Sequence, residues 1–136
     1  MSDVPNESQG SVLVVDDAEV IRRTVTNFLK AEPGIKVLGE ASNFQEALSL
    51  ATALKPDVVL LDIHMPDESE FKPEFVKSQF VHSGARVLAM SLPNPNDDAS
   101  TVLAESFGAA ALLDKTKLCD ELVPAILQTR SRASSG

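Results

Sequence analysis

The sequence predicts an α/β domain in which helices cover both faces of a parallel sheet. Five short apolar runs alternate with five segments of helical periodicity, and such alternation implies right-handed βαβ units. The run at residues 58–61 is apolar throughout, as is typical of a central strand that is buried on both faces. Acidic or hydroxyl residues end three of the runs. The ends of the strands therefore become the first place to look for a site, since ligands of open α/β sheets bind there.

Composition restricts the class of protein. The 136 residues suit one domain with one core, and a hydrophobic content of 43% with 24% charged residues is typical of globular proteins. The net charge of −8 argues against direct binding to nucleic acid or to an anionic membrane. The polar N-terminus does not resemble a signal peptide, no apolar run could span a membrane, and Cys119 has no partner. We therefore expect a cytoplasmic location.

The first half of the chain predicts three strands and two helices. Residues 1–10 are expected to be a disordered lead, and the domain is expected to cover residues 11–130. A strand at 12–15 runs into Asp16 and Asp17. The helix that follows has an apolar stripe, with its charged residues Arg22 and Arg23 off that stripe; the stripe comprises Val20, Ile21, Val25, Phe28 and Leu29. A short strand at 35–39 precedes a second helix, which Ser42 and Gln45 are predicted to open as a capping box.

The second half repeats the alternation. The strand at 58–61 ends on Asp62, and a third helix is predicted to begin at Pro73. A strand at 85–90 ends at Ser91, and a fourth helix follows the loop at 92–98. The last strand, at 109–113, precedes Lys115. The final helix is expected to begin near Asp120, with Pro124 tolerated only in its first turn, and residues 131–136 are expected to be a polar tail.

Three aspartates at the ends of strands predict a cation site. If Asp16, Asp17 and Asp62 meet at one edge, each pair about 5 Å apart repels by roughly 3 kcal/mol at an effective dielectric constant of 20. A divalent cation would relieve this repulsion, and oxygen ligands suit Mg²⁺ or Mn²⁺. The alternative is that Asp16 and Asp17 only cap the first helix.

A lysine and a hydroxyl at neighbouring strand ends add the remaining parts of a phosphoryl-transfer site. Lys115 could stabilise charge on the phosphoryl oxygens, and Ser91 could donate a hydrogen bond to them. A carboxylate held among such groups can act as the nucleophile and form an aspartyl phosphate. The sequence thus favours phosphoryl chemistry at Asp62.

These residues together resemble the receiver domain of two-component response regulators, across residues 11–130. The matching pieces stand in order at strand ends: Val14-Val15-Asp16-Asp17, Asp62-Ile63-His64-Met65-Pro66, Ser91 and Lys115. Residues 37–66 are especially similar to receivers that are usually joined to a helix-turn-helix domain. No such effector follows in this sequence, so we expect signalling through protein contacts without a DNA-binding domain, or service as an intermediate in a phosphorelay.

The resemblance implies a flavodoxin-like (βα)5 doubly wound sheet with strand order 2-1-3-4-5. It implies that Asp62 is the phosphoacceptor, that Ser91 and Lys115 bind the phosphoryl group, and that the Mg²⁺ or Mn²⁺ ligands are Asp16, Asp17, Asp62 and the backbone carbonyl of His64. Asp16 would act directly or through water. The phosphoryl donor would be a sensor histidine kinase or a histidine phosphotransfer protein. The output surface would cover about Asp97 to Thr129, on a monomer or a phosphorylation-linked dimer. The chain would not be an enzyme, except that it would catalyse its own phosphorylation and dephosphorylation.

Three positions depart from the family pattern. Leu112 occupies the position of a switch aromatic, and we expect it to be a core or half-buried residue. Thr116 follows Lys115 where many receivers have proline, so a trans peptide bond is expected there. Glu70 replaces a common glycine. Phe71, Phe75 and Phe80 are expected in the core rather than in a partner patch. His64 either modulates dephosphorylation or is an ordinary loop residue.

Other functions remain as alternatives. The departures leave open a binding or dimerisation module in which phosphorylation is vestigial. A magnesium-dependent phosphatase would want a second carboxylate two residues after the nucleophile, where His64 stands. A dinucleotide-binding domain is disfavoured because no glycine-rich loop follows the first strand.

Overall fold

A computed structural model describes residues 10–92 and 98–135, and across them the chain forms a five-stranded parallel sheet with helices on both faces. The strands are β1 (Gly10–Val15), β2 (Ile35–Ala41), β3 (Val58–Asp62), β4 (Arg86–Ser91) and β5 (Ala109–Asp114). The helices are α1 (Glu19–Lys30), α2 (Phe44–Leu54), α3 (Pro73–Ser83), α4 (Asp98–Ser106) and α5 (Leu118–Ser135). The spatial order is β2-β1-β3-β4-β5. The predicted flavodoxin-like fold is confirmed. The predicted disordered lead lies outside the described residues, except for Gly10, which begins β1.

Side chains of the strands alternate between two cores. Val12 and Val14 pack in the layer beneath α1 and α5, and Leu13 and Val15 pack in the layer beneath α2, α3 and α4. Every residue of β3 is buried, as expected of a central strand. Full burial of each valine or leucine contributes about 1.5–3 kcal/mol. This rigid two-sided core is what places the strand ends of the site.

The apolar stripe predicted on α1 is only partly right. Val25 and Leu29 are buried, but Val20 is 78% exposed and Thr26 is buried instead. Val20 lies about half a turn around the helix from Leu29, at 100° per residue, so it cannot share the centre of the buried face. The stripe drawn from the sequence was wider than the face that the sheet covers.

The start of α2 differs from the predicted capping box. The N-cap is Asn43, whose side-chain oxygen accepts a hydrogen bond from the Glu46 amide at 2.8 Å. Glu46, not Gln45, accepts hydrogen bonds from the Ser42 amide at 2.8 Å and from the Ser42 hydroxyl at 2.9 Å. These two bonds hold the pKa of Glu46 below its usual value. The motif was therefore displaced by one residue in the sequence prediction.

A distant side chain completes this helix start. Asp67, in the loop after β3, accepts hydrogen bonds from the Phe44 amide at 3.0 Å and from the Gln45 amide at 3.1 Å. Together with Asn43 it satisfies the first three amides of α2, which have no partner within the helix. The loop that follows Asp62 is thereby tied to α2. The sequence showed Asp67 only as part of an acidic loop.

The remaining expectations have mixed outcomes at the far end of the chain. Leu112 is half-buried against the core, as predicted. No cis peptide bond occurs in the described residues, so the trans bond before Thr116 is confirmed. The prediction for Pro124 was wrong: it lies inside α5. Leu122 and Ile126 on either side of it are fully buried, and their burial offsets the roughly 3 kcal/mol cost of an interior proline.

The three phenylalanines divide between core and surface. Phe80 is fully buried, and Phe71 is half-buried with an edge contact to Phe44 at a ring distance of 6.1 Å. Phe75 is 48% exposed and stacks on Phe71, so its core prediction was wrong. Helix α5 also extends to Ser135, so the predicted tail is helical as far as that residue.

Removing the distant cap should destabilise the domain. We expect Asp67→Ala to lower the free energy of unfolding by about 1–2 kcal/mol, because two helix amides lose their acceptor. Asp67→Asn keeps one acceptor oxygen, so its free energy of unfolding should lie between those of wild type and Asp67→Ala. Urea unfolding followed by circular dichroism measures the change. Glu70→Ala, in the exposed turn Glu68–Glu70, is the control; an equal loss there would contradict the capping role.

Candidate functional site

Three carboxylates meet at the C-terminal edge of the sheet. β1 and β3 are neighbours with Val15 opposite Leu61, so Asp16 and Asp62, the residues that follow, come side by side. Oxygens of Asp16, Asp17 and Asp62 all lie within 4.8 Å of one another. Asp16 is completely buried and Asp62 is 4% exposed, whereas Asp17 is exposed. The structure thus brings together the three aspartates that the sequence singled out.

Lys115 supplies the counter-charge. Its ammonium lies 2.7 Å from Asp16 Oδ2 and 3.1 Å from Asp62 Oδ2. Lys115 follows β5, and β4 lies between β5 and β3, so only a long side chain can cross the end of β4. The side chain is 8% exposed. A buried ion pair of this kind holds both carboxylates in position, and loss of one partner would leave uncompensated buried charge.

Backbone amides fix the other oxygen of each buried carboxylate. The Ala18 amide donates to Asp16 Oδ1 at 2.9 Å, and the His64 amide donates to Asp62 Oδ1 at 3.0 Å. Asp16 Oδ2 is buried, and its close neighbour is the Lys115 ammonium at 2.7 Å. Both oxygens of Asp16 are therefore held by groups from other parts of the site.

Burial and charge shift the protonation equilibria in opposite directions. Burial raises the pKa of Asp62 to about 6, and the neighbouring Asp16 adds to the rise, while the His64 amide and the Lys115 ammonium oppose it. For Lys115, burial lowers the pKa, but the carboxylates of Asp16 and Asp62 outweigh burial and raise it. The ammonium therefore stays charged at neutral pH. Burial and the nearby carboxylate of Asp16 therefore disfavour the ionised form of Asp62.

Among the described residues, the side chains of Ser91 and His64 bond to groups outside the acidic cluster. The Ser91 hydroxyl donates to the Leu92 carbonyl at 3.1 Å and lies 3.3 Å from the Ser100 hydroxyl on α4. The His64 ring is exposed, with Nδ1 3.9 Å from Glu68 Oε1. Ser91 would have to turn its hydroxyl to reach a group bound at Asp62.

Two features near the site were missed in the sequence. Thr116, read only as the absence of proline, donates its amide to Asp114 Oδ1 at 2.8 Å and its hydroxyl to the same oxygen at 2.6 Å. These bonds lower the pKa of Asp114 and shape the turn that carries Lys115. Arg22, read as a polar-face residue, contacts the Asp16 backbone. A threonine two residues after an aspartate could have indicated the first feature; the second had no local signal.

The donor set fits a hard divalent cation. All three acidic side chains offer oxygen, which Mg²⁺ and Mn²⁺ prefer. Three carboxylates and one ammonium leave a net charge of −2 when all are ionised, and a divalent cation would neutralise it. The exposed Asp17 leaves the cluster open to solvent on one side, as needed for a cation that keeps waters. The residues present therefore suit Mg²⁺ or Mn²⁺.

The fold and the acidic cluster define a doubly wound α/β domain with its site where the strand order reverses between β1 and β3. The model of the response regulator receiver domain matches residues 12–127. This chain belongs to the receiver domain family of two-component response regulators.

Curated relatives and solved structures agree with this assignment. The chain is 32% identical over 123 residues to the nitrate/nitrite response regulator NarL of Escherichia coli K12, covering 90% of this chain and 56% of that protein. It is 41% identical over 87 residues to a protein-glutamate methylesterase/protein-glutamine glutaminase of Pseudomonas fluorescens, covering 56% of this chain and 23% of that protein. The chain thus spans about half or less of these relatives.

Similar folds cover nearly the whole chain. The receiver domain of a putative response regulator NarL from Mycobacterium tuberculosis matches with a TM-score of 0.79 and 30% identity, covering 91% of this chain and 98% of that one. The response regulator domain of Thermotoga maritima CheB matches with a TM-score of 0.78 and 29% identity, covering 90% and 97%. In the part of this chain that the structure describes, no helix is both long and apolar enough to cross a membrane.

The raised pKa of Asp62 gives a pH-dependent stability with a defined sign. Its folded pKa of about 6 exceeds the unfolded value of about 3.9, so the folded state binds more protons between about pH 4 and 6, and stability falls as pH rises through that window. In EDTA we expect the stability advantage of Asp62→Asn over wild type to grow from pH 4 to 7 by up to about 3 kcal/mol.

Urea unfolding at each pH measures this difference. Asp120→Asn, an exposed aspartate on α5, is the matched control and should show no such trend. Saturating Mg²⁺ should shrink the advantage of Asp62→Asn at pH 7, because the cation favours the ionised carboxylate. A constant difference across the pH range would show that Asp62 titrates at its ordinary value.

Proposed function

We propose that this receiver accepts a phosphoryl group on Asp62 with Mg²⁺ or Mn²⁺ bound by the acidic cluster. The observation that carries the proposal is the position of Asp62, buried at a strand end with the Lys115 ammonium 3.1 Å away and Asp16 and Asp17 beside it. A carboxylate held in this way, beside an ammonium and within reach of a bound cation, can act as a nucleophile in a preorganised site. Family membership supports the same chemistry.

The transfer itself is a displacement at phosphorus. A carboxylate oxygen of Asp62 attacks the phosphorus atom of a phosphohistidine, the P–N bond breaks, and its electron pair stays on the imidazole nitrogen. The products are an acyl phosphate on Asp62 and a free histidine on the donor. A sensor histidine kinase or a phosphotransfer protein would be the donor. One similar chain, at 29% identity, comes from the crystal structure of the P1 domain of CheA3 in complex with CheY6 from R. sphaeroides.

The residues of this chain have distinct parts in that reaction. Asp16, Asp17 and Asp62 would hold the cation, with the His64 carbonyl as a further ligand. When bound, the cation would neutralise charge on the phosphoryl oxygens. Lys115 would move its ammonium from Asp62 Oδ2 to a phosphoryl oxygen. The His64 amide keeps Asp62 oriented, and Ser91 would exchange its present partners for the phosphoryl group.

That exchange offers a route from the site to the output surface. The Ser91 hydroxyl lies against Ser100 on α4, so turning it toward a phosphoryl group changes the packing of α4. We place the output surface on α4, β5 and α5, where Val102 and Leu127 are exposed apolar residues. Asp97, the first residue of the predicted surface, lies outside the described residues. A cytoplasmic location stays a prediction.

A second candidate is a binding or dimerisation module whose phosphorylation has no consequence. The half-buried Leu112 favours it, because a leucine packed against the core has no aromatic ring to move between two positions. The complete cluster of Asp16, Asp17, Asp62 and Lys115 favours the phosphoacceptor instead. Buried charge destabilises a fold, and a module that only binds or dimerises would not need this charge.

Phosphorylation can be tested directly. Incubation with Mg²⁺ and acetyl phosphate should add one phosphoryl group to the wild-type chain, measured by intact mass spectrometry. Asp62→Asn should add none, because the amide is not a nucleophile of this kind. Asp120→Asn removes an equivalent charge from the surface and should be phosphorylated normally. An unmodified wild type, or a label that survives Asp62→Asn, would refute Asp62 as the acceptor.

The route through Ser100 separates the two candidates. With beryllofluoride and Mg²⁺ as a phosphoryl mimic, we expect backbone amide shifts in α4 by NMR, and we expect Ser100→Ala to reduce them. Ser106→Ala removes another hydroxyl from the same helix, one bonded only to the Val102 carbonyl among described groups, and should leave the shifts intact. Mimic bound at Asp62 with α4 unchanged would favour the module.

A further inference from the structure

Arg22 joins α1 to the backbone of the acidic turn. Its Nη1 donates to the Asp16 carbonyl oxygen at 2.8 Å, and its Nε donates to Glu40 Oε1 on β2 at 3.0 Å. The side chain is only 16% exposed. Its neighbour Arg23 is 66% exposed, and among the described residues its one ion-pair partner is Glu19, at 3.8 Å. Two adjacent arginines therefore have entirely different surroundings.

The carbonyl that Arg22 holds belongs to the peptide unit between Asp16 and Asp17. The Asp16 side chain is fixed independently, by the Ala18 amide and by Lys115. Asp17 is exposed, and its carboxylate forms no hydrogen bond within the described part of the chain. Because a peptide unit is planar, holding the Asp16 carbonyl sets the direction in which the chain enters Asp17. The orientation of the Asp17 carboxylate thus depends on the backbone.

We propose that Arg22 is a positioning residue for the cation site, one that aims the Asp17 carboxylate at Asp16 and Asp62 by holding the peptide unit before it. The inference rests on the proposed function, since it concerns the same cation. A guanidinium suits this task because its planar fork can bond a carbonyl and a carboxylate at once, which a lysine ammonium does with less definition.

Glu40 makes this arrangement compatible with cation binding. A lone guanidinium beside the acidic cluster would repel a divalent cation, but the Glu40 carboxylate at 3.0 Å offsets its charge. The Arg22–Glu40 pair therefore supplies geometry with little net charge. The direction of the change in Mg²⁺ affinity therefore distinguishes two roles for Arg22. If Arg22 were only a nearby positive charge, its loss would tighten Mg²⁺ binding. If Arg22 positions the site, its loss would weaken Mg²⁺ binding.

The test compares Arg22→Met with Arg23→Met in the full chain. Isothermal titration with Mg²⁺ alone should show a Kd raised about fivefold in Arg22→Met, the loss expected for one typical intramolecular hydrogen bond. Arg23→Met should bind as wild type does. Arg22→Lys should have a Kd for Mg²⁺ between those of wild type and Arg22→Met. If circular dichroism shows that Arg22→Met does not fold, Arg22→Lys is compared with Arg23→Met instead.

Phosphorylation kinetics give a readout that a purely structural role would not move. With acetyl phosphate, the Mg²⁺ concentration for half-maximal rate should rise by about the same factor in Arg22→Met, while the rate at saturating Mg²⁺ should change less than about twofold. Tighter Mg²⁺ binding, or binding equal to that of Arg23→Met, would overturn the inference. If wild type itself binds no Mg²⁺, the proposed function fails first, and the two failures are thereby distinguished.

Discussion

The structure depends on an imbalance of buried charge at one edge of the sheet. Asp16 and Asp62 are removed from water beside a third carboxylate, and Lys115 supplies one positive charge for all three. Such a cluster costs stability unless protons, a cation or a phosphoryl exchange relieve it. The raised pKa of Asp62 is the visible sign of that cost. Burial of the two apolar cores on either side of the sheet offsets the destabilisation that the cluster causes.

Polar contacts from other elements hold the turns that surround this cluster. Asp67 ties the loop after Asp62 to the start of α2, Arg22 ties the turn after β1 to β2, and Asp114 with Thr116 shapes the turn before α5. Each contact costs little backbone entropy, because the strands on which the turns stand are already rigid. Chemistry that needs groups placed to within fractions of an ångström benefits from this support.

Most of the fold could be predicted because it follows from local patterns. Apolar runs predicted all five strands, and the four acidic or basic residues of the cluster stood at their ends. Two errors have a common cause: Val20 and Phe75 were judged from local spacing, whereas burial depends on what packs opposite. Pro124 shows the same effect, since a buried face on α5 outweighs the local preference against proline. The capping-box error was local, since Asn43 and Glu46 have the same spacing as Ser42 and Gln45.

Arg22 and Arg23 show where sequence stops and tertiary structure begins. The sequence by itself determined the α/β class and the positions of the strand ends, because periodicity and charge are properties of the chain. For the same reason it singled out Asp16, Asp17, Asp62 and Lys115 as candidate residues of the site. Both arginines looked alike, as charges off an apolar stripe. Only the packing of α1 against β2 decided that one meets the Asp16 carbonyl and Glu40 while the other meets solvent. A partner 18 residues away in sequence leaves no trace in local spacing.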